Sequence, residues 1–523
     1  MSSPATASSP PAKTSPCRHN TSRWNWRWGL AGIFAALLSA LLLFIISARV
    51  WPFSRNAVLQ DLAEATDSSV TATRYHATYF PPGCILEGVD FRHQQFRLIT
   101  IQKLIVQGSY LGILRRHVPR IAAIRAHVFI PAFGSKLNLQ TQHSTTVVDE
   151  LVANGTYVEF ESNKPRQQPF VFDVQEATFN NVRWGNPIAY HLKLHNPNPP
   201  GEISTDGKFG AWAEGHPEDT PFSGNYTFEH ADLSVYGGIA GMLYSKGSFG
   251  GALQQLTVMG TTVVPDFEVQ SSGNRVKLAT KFDAYVNALD GDTFLNRVEA
   301  HFGRTTVIAE GRVAHSAARK GRVTDLRLTA RGGRIQDILG LFVSESSPMS
   351  GVISLQAKAT IPPGGEEFVK KIELEGAFGI DDGSFAKAET QQGVDELSAG
   401  ARGKDKEHPE MVLTDLSGQI KLTDGLAQFT NLRFGIPGAK ARMNGTYDIL
   451  TYKINLHGRM RVETRIFKST SGVKSLFLKF IDPIFKKKKK GEVVPVHIEG
   501  TYQKPQFGLD LAGKNAPNKI EKW

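Results

Sequence analysis

The sequence predicts a mainly β protein: an elongated, curved antiparallel β-sheet forming a groove, with a few short helices and one N-terminal transmembrane helix. Three observations carry that expectation. Strand-length segments alternate apolar and polar residues over most of the chain. Glycine reaches 49 of 523 residues without a Gly-X-Y period, which signals turns and excludes collagen. One uncharged apolar stretch of membrane-spanning length stands near the start.

That stretch is Gly29 to Ala48, twenty residues without a charge. As a helix it spans about 30 Å, the thickness of a hydrocarbon core. Trp24, Trp26 and Trp28 precede it and Trp51 follows, as interfacial belts do. Lys13, Arg18, Arg23 and Arg27 precede it with no acid among residues 1–28. This charge bias places the N-terminus in the cytoplasm and the bulk of the chain across the membrane. A cleaved signal peptide has a shorter apolar region and a small-x-small site. Here Arg49, Val50, Trp51 and Pro52 follow instead, so an uncleaved single-pass anchor is expected. Cys17 and Cys84 then lie on opposite sides of the membrane, and both read as lone thiols.

After the anchor, Ser54 caps an expected helix through Thr66, with Val58, Leu59 and Leu62 on one face. Strand-like segments follow at Val70–Tyr79 and Gly88–Gln107. A helix is expected over Ser109–His117, interrupted by Pro119, and then a strand to Pro131. Beyond this one pattern recurs: Gly, polar, apolar, polar, apolar. It occurs from Gly224, Gly351, Gly418, Gly445 and Gly458, and the glycine is read as starting each strand. Val276, Leu278, Phe282, Ala284 and Val286 share one parity. So do Leu432, Phe434 and Ile436, and Val494, Val496 and Ile498. Short helical inserts are expected at Ile335–Val343 and Val394–Ala401. Asp290-Gly291, Asp381-Asp382 and Asp424-Gly425 read as hairpin turns.

One face of the sheet is therefore apolar and must be covered. A second sheet, closure into a barrel, or an apolar partner that is not protein could cover it. Sandwiches come in compact blocks of about 100 residues. Here the alternation runs from Gly207 to Leu511 with few long linkers, which favours a long groove. About 25–30 strands in single file would extend roughly 120–140 Å. The candidate groove-lining residues are Ile420, Leu422, Leu432, Phe434, Ile436, Val494, Val496 and Ile498.

Near the C-terminus, Val473, Leu476, Phe477, Phe480, Ile481 and Ile484 recur at helical spacing, and Lys486 to Lys490 follow. Phe477, Phe480, Lys486, Lys487 and Lys488 are candidates for contact with an anionic membrane surface. A helix capping the sheet, followed by a solvated loop, is the plain structural reading. The expected organisation is a disordered cytoplasmic tail (1–28), the transmembrane helix (29–48), an αβ cap (49–135), the β-groove (136–463), an amphipathic helix with closing strands (464–511) and a tail (512–523).

No chemical signature accompanies this architecture. GxSxG, HExxH, Walker A and C-x-x-C motifs are absent. His191 and His195 sit some 13 Å apart along one strand face, too far for one metal. No metal or cofactor is expected, and no enzymatic activity. The tryptophans do not interleave with basic strand residues, so nucleic acid is not expected as a partner. The net charge of +11 fits solubility and attraction to a membrane surface.

Several segments resemble the AsmA-like family of bacterial envelope proteins. They are Phe80-Pro81-Pro82-Gly83-Cys84-Ile85-Leu86-Glu87-Gly88-Val89, the Ile101–Pro131 region, Pro221–Gly251, Met443–Met460, and Val494-Pro495-Val496-His497-Ile498-Glu499-Gly500-Thr501-Tyr502 with Pro505 and Phe507. The resemblance implies an inner-membrane anchor, a periplasmic β-groove, phospholipid carried between membranes, and a part in outer-membrane biogenesis. It implies no catalytic residue. An assembly factor that pairs its strand edge with outer-membrane proteins is the alternative expectation.

Overall fold

The computed structural model describes residues 51–509, except 95, 131–145, 161–169, 214–215, 317–320, 345–346, 348, 386–413, 437–438, 463–490, 492 and 502–503. The expected transmembrane helix 29–48, the insert Val394–Ala401 and the amphipathic segment with its lysine run lie outside the described residues. Among those described, no helix is long and apolar enough to cross a membrane. The chain divides into a unit of residues 1–58 and one of residues 59–523. In the first, the Trp51 and Phe53 rings meet edge to face at 6.0 Å.

The second unit is built on one 24-stranded sheet. Its first strands are β1 (Ser69–Tyr79), β2 (Pro82–His93), β3 (Phe96–Gln107), β4 (His117–Ile130), β5 (Val147–Phe160), β6 (Phe170–Val182), β7 (Ile188–Pro197) and β8 (Pro200–Phe209). Then come β9 (Pro221–Asp232), β10 (Ile239–Ala240), β11 (Met242–Ala252), β12 (Gln255–Val269), β13 (Arg275–Val286), β14 (Thr293–Phe302), β15 (Thr305–His315) and β16 (Arg322–Arg334). The last are β17 (Met349–Ile361), β18 (Glu373–Phe385), β19 (Thr414–Thr423), β20 (Leu426–Ile436), β21 (Ala439–Asp448), β22 (Lys453–Val462), β23 (Val493–Thr501) and β24 (Lys504–Leu509). Among the described residues four α-helices occur: α1 (Arg55–Thr66), α2 (Tyr110–Arg115), α3 (Ile335–Leu339) and α4 (Phe368–Lys371).

Strands pair antiparallel with their chain neighbours, with two departures from that order. The two-residue β10 pairs with β12, so β9 meets β11 directly. The expected all-antiparallel sheet is corrected at β4 and β5, which pair parallel. A parallel neighbour needs a long connection between its strands, and β4 and β5 are separated by residues 131–146 in the chain.

The alternation read from sequence is the burial pattern. In β9, Phe222, Gly224, Tyr226 and Phe228 are half-buried, while Ser223, Asn225 and Thr227 are exposed. Asp424 and Gly425 form a two-residue hairpin turn with φ of 53° and 75°, as a type I′ turn requires.

Several expectations are corrected. Gly88–Gln107 is not one strand but parts of β2 and β3, joined by a turn at Gln94. Asp381-Asp382 does not turn a hairpin; it lies in β18 opposite a register shift. Pro119 breaks no helix. It lies near the start of β4, before pairing with β3 begins at Arg120. The glycines read as strand starts are inside their strands: Gly224 in β9, Gly445 in β21 and Gly458 in β22. Their position follows from cross-strand crowding: a Cβ on Gly445 would overlap Asn455 O, and one on Gly458 would overlap Arg442 O.

The first strands hold fully buried side chains: Cys84 and Leu86 at 0% exposure and Val89 at 1%. Further along, Ile335 of α3 packs with Ile353, Ile380, Leu416, Leu432 and Met443. Ile372, after α4, packs with Leu422 and Ala427, and Phe368 of α4 joins them. Each short helix thus covers one end of the apolar face. We expect Leu86→Ala to cost about 2–5 kcal/mol, since it empties a sealed site between β1 and β3. Amide exchange across β1–β4 should accelerate while β20–β23 stays unchanged. Uniform acceleration would contradict this local core.

Candidate functional site

Residues directly opposite in neighbouring strands share a face, so register identifies what each face presents. One row crosses the sheet from β1 to β23. It begins Tyr75, Leu86, Leu104, Ala123, Ala153, Ala177 and Leu192. It continues Thr205, Tyr226, Gly247, Gly260, Phe282, Val298 and Ala309. It ends Leu328, Ala357, Gly376, Ile420, Phe429, Gly445, Leu456 and Ile498. No charged side chain occurs in it. The neighbouring row on the other face reads Arg74, Glu87, Lys103, Ile124, Asn154, Glu176 and Lys193, and further on Lys246, Thr261, Lys281 and Glu299. That face is charged and polar.

The middle of the apolar row is paved by rings lying over glycines. A Cβ on Gly224 would run into the Tyr190 hydroxyl and Asp206 O, and would lie 3.1 Å from the Phe249 ring. A Cβ on Gly260 would come within 2.8 Å of both the Tyr226 hydroxyl and the Phe282 ring. Glycine is required there because an aromatic side chain from a neighbouring strand occupies the space above the backbone. The rings touch in turn: Tyr190 and Phe222 at 5.4 Å, and Phe222 and Phe249 at 4.9 Å between centroids.

In the aromatic middle of this face the hydroxyls bond within it, whereas buried Thr156 Oγ1 in β5 meets no hydrogen-bond partner. Tyr190 donates to Ser223 O at 3.2 Å and Thr205 to Asn225 O at 2.8 Å. The Tyr226 hydroxyl lies 3.2 Å from Ser245 Oγ, and Thr262 donates to the same oxygen at 3.1 Å. Burial raises the phenol pKa of Tyr190 and Tyr226, so both stay uncharged. Paired hydroxyls do not need water, and the row remains apolar in effect.

Contacts between distant loops bend the sheet. Gly238, between β9 and β11, abuts the backbone at Phe368, between β17 and β18. In a flat sheet these loops would lie roughly 35–40 Å apart at the usual strand spacing. Asn274, between β12 and β13, donates to Gly340 O at 3.0 Å and Val343 O at 2.6 Å, just beyond α3. Ser344 Oγ meets the Tyr452 hydroxyl at 3.3 Å, between β21 and β22. The bridging segments adjoin α3 and α4, whose side chains pack on the apolar face. The bend is therefore toward that face.

The sequence candidates divide between the two clusters. Leu432, Phe434, Val496 and Ile498 gather around Met443 and α3. Ile420 and Leu422 gather around Ile372 and α4. Val494 is 4% exposed opposite Met460. Leu422, Leu432 and Val494 are buried among protein side chains, whereas Ile420, Phe434, Val496 and Ile498 are half-buried. Ile436 holds the end of β20 opposite Ala439. Phe477, Phe480, Lys486, Lys487 and Lys488 lie outside the described residues.

Sequence reasoning places Tyr226 and Phe282 on strand faces but misses Tyr190, Phe222 and Phe249, and with them the aromatic pavement the five form. Its signal was there as glycines and aromatics at like parity in successive strands. A hollow of about 960 Å³ opens over β16–β20, and it is lined mostly by the polar face, including Arg327, Lys358, Glu375 and Lys421. Register sets Glu375 between Lys358 and Lys421, so opposite charges face each other there. His195 pairs with Glu202 at 2.9 Å on the polar side. No His, Cys, Asp and Glu cluster able to hold a metal occurs among the described residues.

Comparison with known proteins returns no matching family model, no matching curated protein and no matching solved structure.

Burial pushes the Cys84 thiol up to about 12, so it stays protonated far above neutrality. We expect Cys84 in a Cys17→Ser chain to resist maleimide from pH 7 to about 9 and to react only on unfolding. A raised acid pKa favours the folded state below the unfolded thiol value. That contribution declines as pH climbs from about 9 toward 12. Prompt labelling of the folded chain at neutral pH would contradict the sealed position.

Proposed function

We propose that this chain is an AsmA-like lipid-handling protein. In this reading Gly29–Ala48 anchors it in the inner membrane with its N-terminus in the cytoplasm. The sheet lies in the periplasm as a groove, where it binds phospholipid acyl chains and passes them passively, contributing to outer-membrane biogenesis. The observation that carries the reading is the uncharged register row from Tyr75 to Ile498. The bend toward the apolar face supports it, and so does the presence of one sheet with no second sheet against it among the described residues. Phe222, Phe249 and Phe282 remain half-buried, as side chains would that await an apolar partner. The resemblance of Phe80–Val89 and Val494–Tyr502 to the family points the same way.

Acyl chains laid along the row would gain about 0.8 kcal/mol per buried CH₂, while head groups stay in water at the groove's mouth. Sliding requires no bond making. An edge-pairing scaffold for outer-membrane proteins is the second reading. It draws on the outer edge of β1, which meets no strand among the described residues.

A photocrosslinking benzophenone amino acid at Phe282, on the row, and at Lys281, on the other face, separates these readings. We expect phospholipid adducts at position 282 and none at 281 in the full chain extracted from membranes. Ala309→Asp should lower lipid transfer between vesicles by about tenfold or more, because a carboxylate on the row is costly in hydrocarbon. Equal adducts at both positions, or unchanged transfer, would falsify the groove. Crosslinks from β1 to strands of outer-membrane proteins alone would favour the scaffold.

A further inference from the structure

The largest exposed apolar side chains of the first strands are gathered at one place, and the row does not use them. Phe80, in the turn between β1 and β2, is 89% exposed, and Tyr79 beside it is 56% exposed. Tyr110 and Leu111, in the first turn of α2, are 51% and 69% exposed. The two elements are joined: the Tyr110 hydroxyl donates to Tyr79 O at 2.7 Å, and the Phe80 and Tyr110 rings lie 6.1 Å apart.

The arrangement is held in place. Ser109 caps α2 by accepting from Gly112 N at 2.9 Å. A Cβ on Gly112 would overlap His117 O, so only glycine lets this short helix lie against β4 with Tyr110 and Leu111 turned outward. Arg115 and Arg116 end the helix, and both are exposed.

We propose that this cluster is a second membrane contact, seated in the head-group layer of an anionic bilayer. Tyr and Phe favour that layer, and the two adjacent arginines complement anionic head groups. Chain length agrees. Arg116 acts electrostatically on Asp61 of α1, and Asp61 stands only thirteen positions beyond Ala48, the end of the apolar segment. Thirteen residues reach roughly 20 Å as helix and at most about 45 Å extended, so the cluster cannot stray far from an anchored membrane. A stable protein interface is the poorer fit. Four side chains of this kind present roughly 500–600 Å² at these exposures, short of the ~800 Å² per partner such interfaces bury. The inference rests on the reading of Gly29–Ala48 as an anchor.

The test uses the full chain with Cys17→Ser, since Cys84 is sealed. Phe80→Cys, Leu111→Cys and, as control, Met259→Cys are each labelled with an environment-sensitive fluorophore. Met259 is 54% exposed and lies on the polar face of β12. Each chain is reconstituted into vesicles of roughly three parts phosphatidylcholine to one part phosphatidylglycerol, with a fraction of brominated lipid. We expect all three to float with the vesicles. Bromine should quench the label about twofold or more at positions 80 and 111 and leave position 259 unchanged. Arg115→Glu with Arg116→Glu should reduce the quenching at position 80. Flotation with equal quenching at 80 and 259 overturns the docking and leaves the anchor standing. Failure to float overturns both. A label at position 80 that is shielded and crosslinks to another chain, with no bromine quenching, overturns the docking in favour of a protein partner.

Discussion

Cross-strand register is the constraint on which everything else in this sheet depends. A slip of one residue would turn an apolar strand face outward, because side chains alternate with a period of two. Over so many strands the two faces stay separate only if each hairpin and bulge preserves the phase. The bulges do that work visibly in β20. Phe429 and Leu432 are three residues apart, yet both belong to the apolar side, because Asn431 takes φ of 51° where the register shifts. In the first strands the same device is aligned across the sheet. Leu86 and Val89, Leu104 and Ile101, and Ala123 and Ala126 are all buried at a spacing of three. Between them fall Gly88 at φ 61° and Arg125 at φ 53°, and Gly155 follows in β5 at φ 63°. Each such residue inserts a half-period, and doing so at one level keeps neighbouring strands in step.

That same device explains where the sequence was legible and where it was not. In β9 up to Phe228 and throughout β13, alternation is unbroken. Tyr226 and Phe228, and Val276, Leu278, Phe282 and Ala284, are readable as one face because nothing shifts their phase within the run. In β2 and β3 the phase changes at Gly88, so a strict period of two failed there and the hairpin at Gln94 was lost. The recurring glycines were noticed but given the wrong cause. They do not begin strands; Gly224 sits under rings, Gly445 and Gly458 face backbone of the adjoining strand, and a partner across or beyond the next strand is not visible in a one-dimensional pattern. The parallel pairing of β4 with β5 was hidden for a similar reason, since local sequence does not say which neighbour a strand will find after a long connection.

Bending follows from how the ends of the face are closed. Right-handed twist accumulates by about 20–25° per strand, so strands some eight apart point in nearly opposite senses. Gly238 leads from β9 toward β11 and Phe368 leads from β17 toward β18, at what would be opposite ends of a flat sheet. Their contact is consistent with such a half-turn combined with coiling toward the apolar side. The helices matter here because they are short. Ile335, Ile338 and Leu339 of α3 join one apolar cluster with side chains of β17–β23. A longer helix would have sealed the face as an ordinary core.

The aromatic stretch between the two helix-capped clusters and the aliphatic first strands is where the groove reading makes its strongest physical demand. A hydrocarbon tail gains nearly the same free energy at each position along an apolar surface, so it slides easily only where the surface has no step and no unsatisfied polar group. Upright aromatic side chains would make steps. Rings laid over Gly224 and Gly260 lower them against the backbone, and the internal bonds of Tyr190, Thr205, Tyr226 and Ser245 leave no hydroxyl seeking water. Charges, by contrast, are confined to the opposite face, where Glu375 faces Lys358 and Lys421. A sheet evolved only to support a protein core could tolerate an occasional buried ion pair or an upright ring, because neighbouring side chains would repack around it. On the proposed reading nothing repacks around a moving chain, and the floor itself has to be level and neutral.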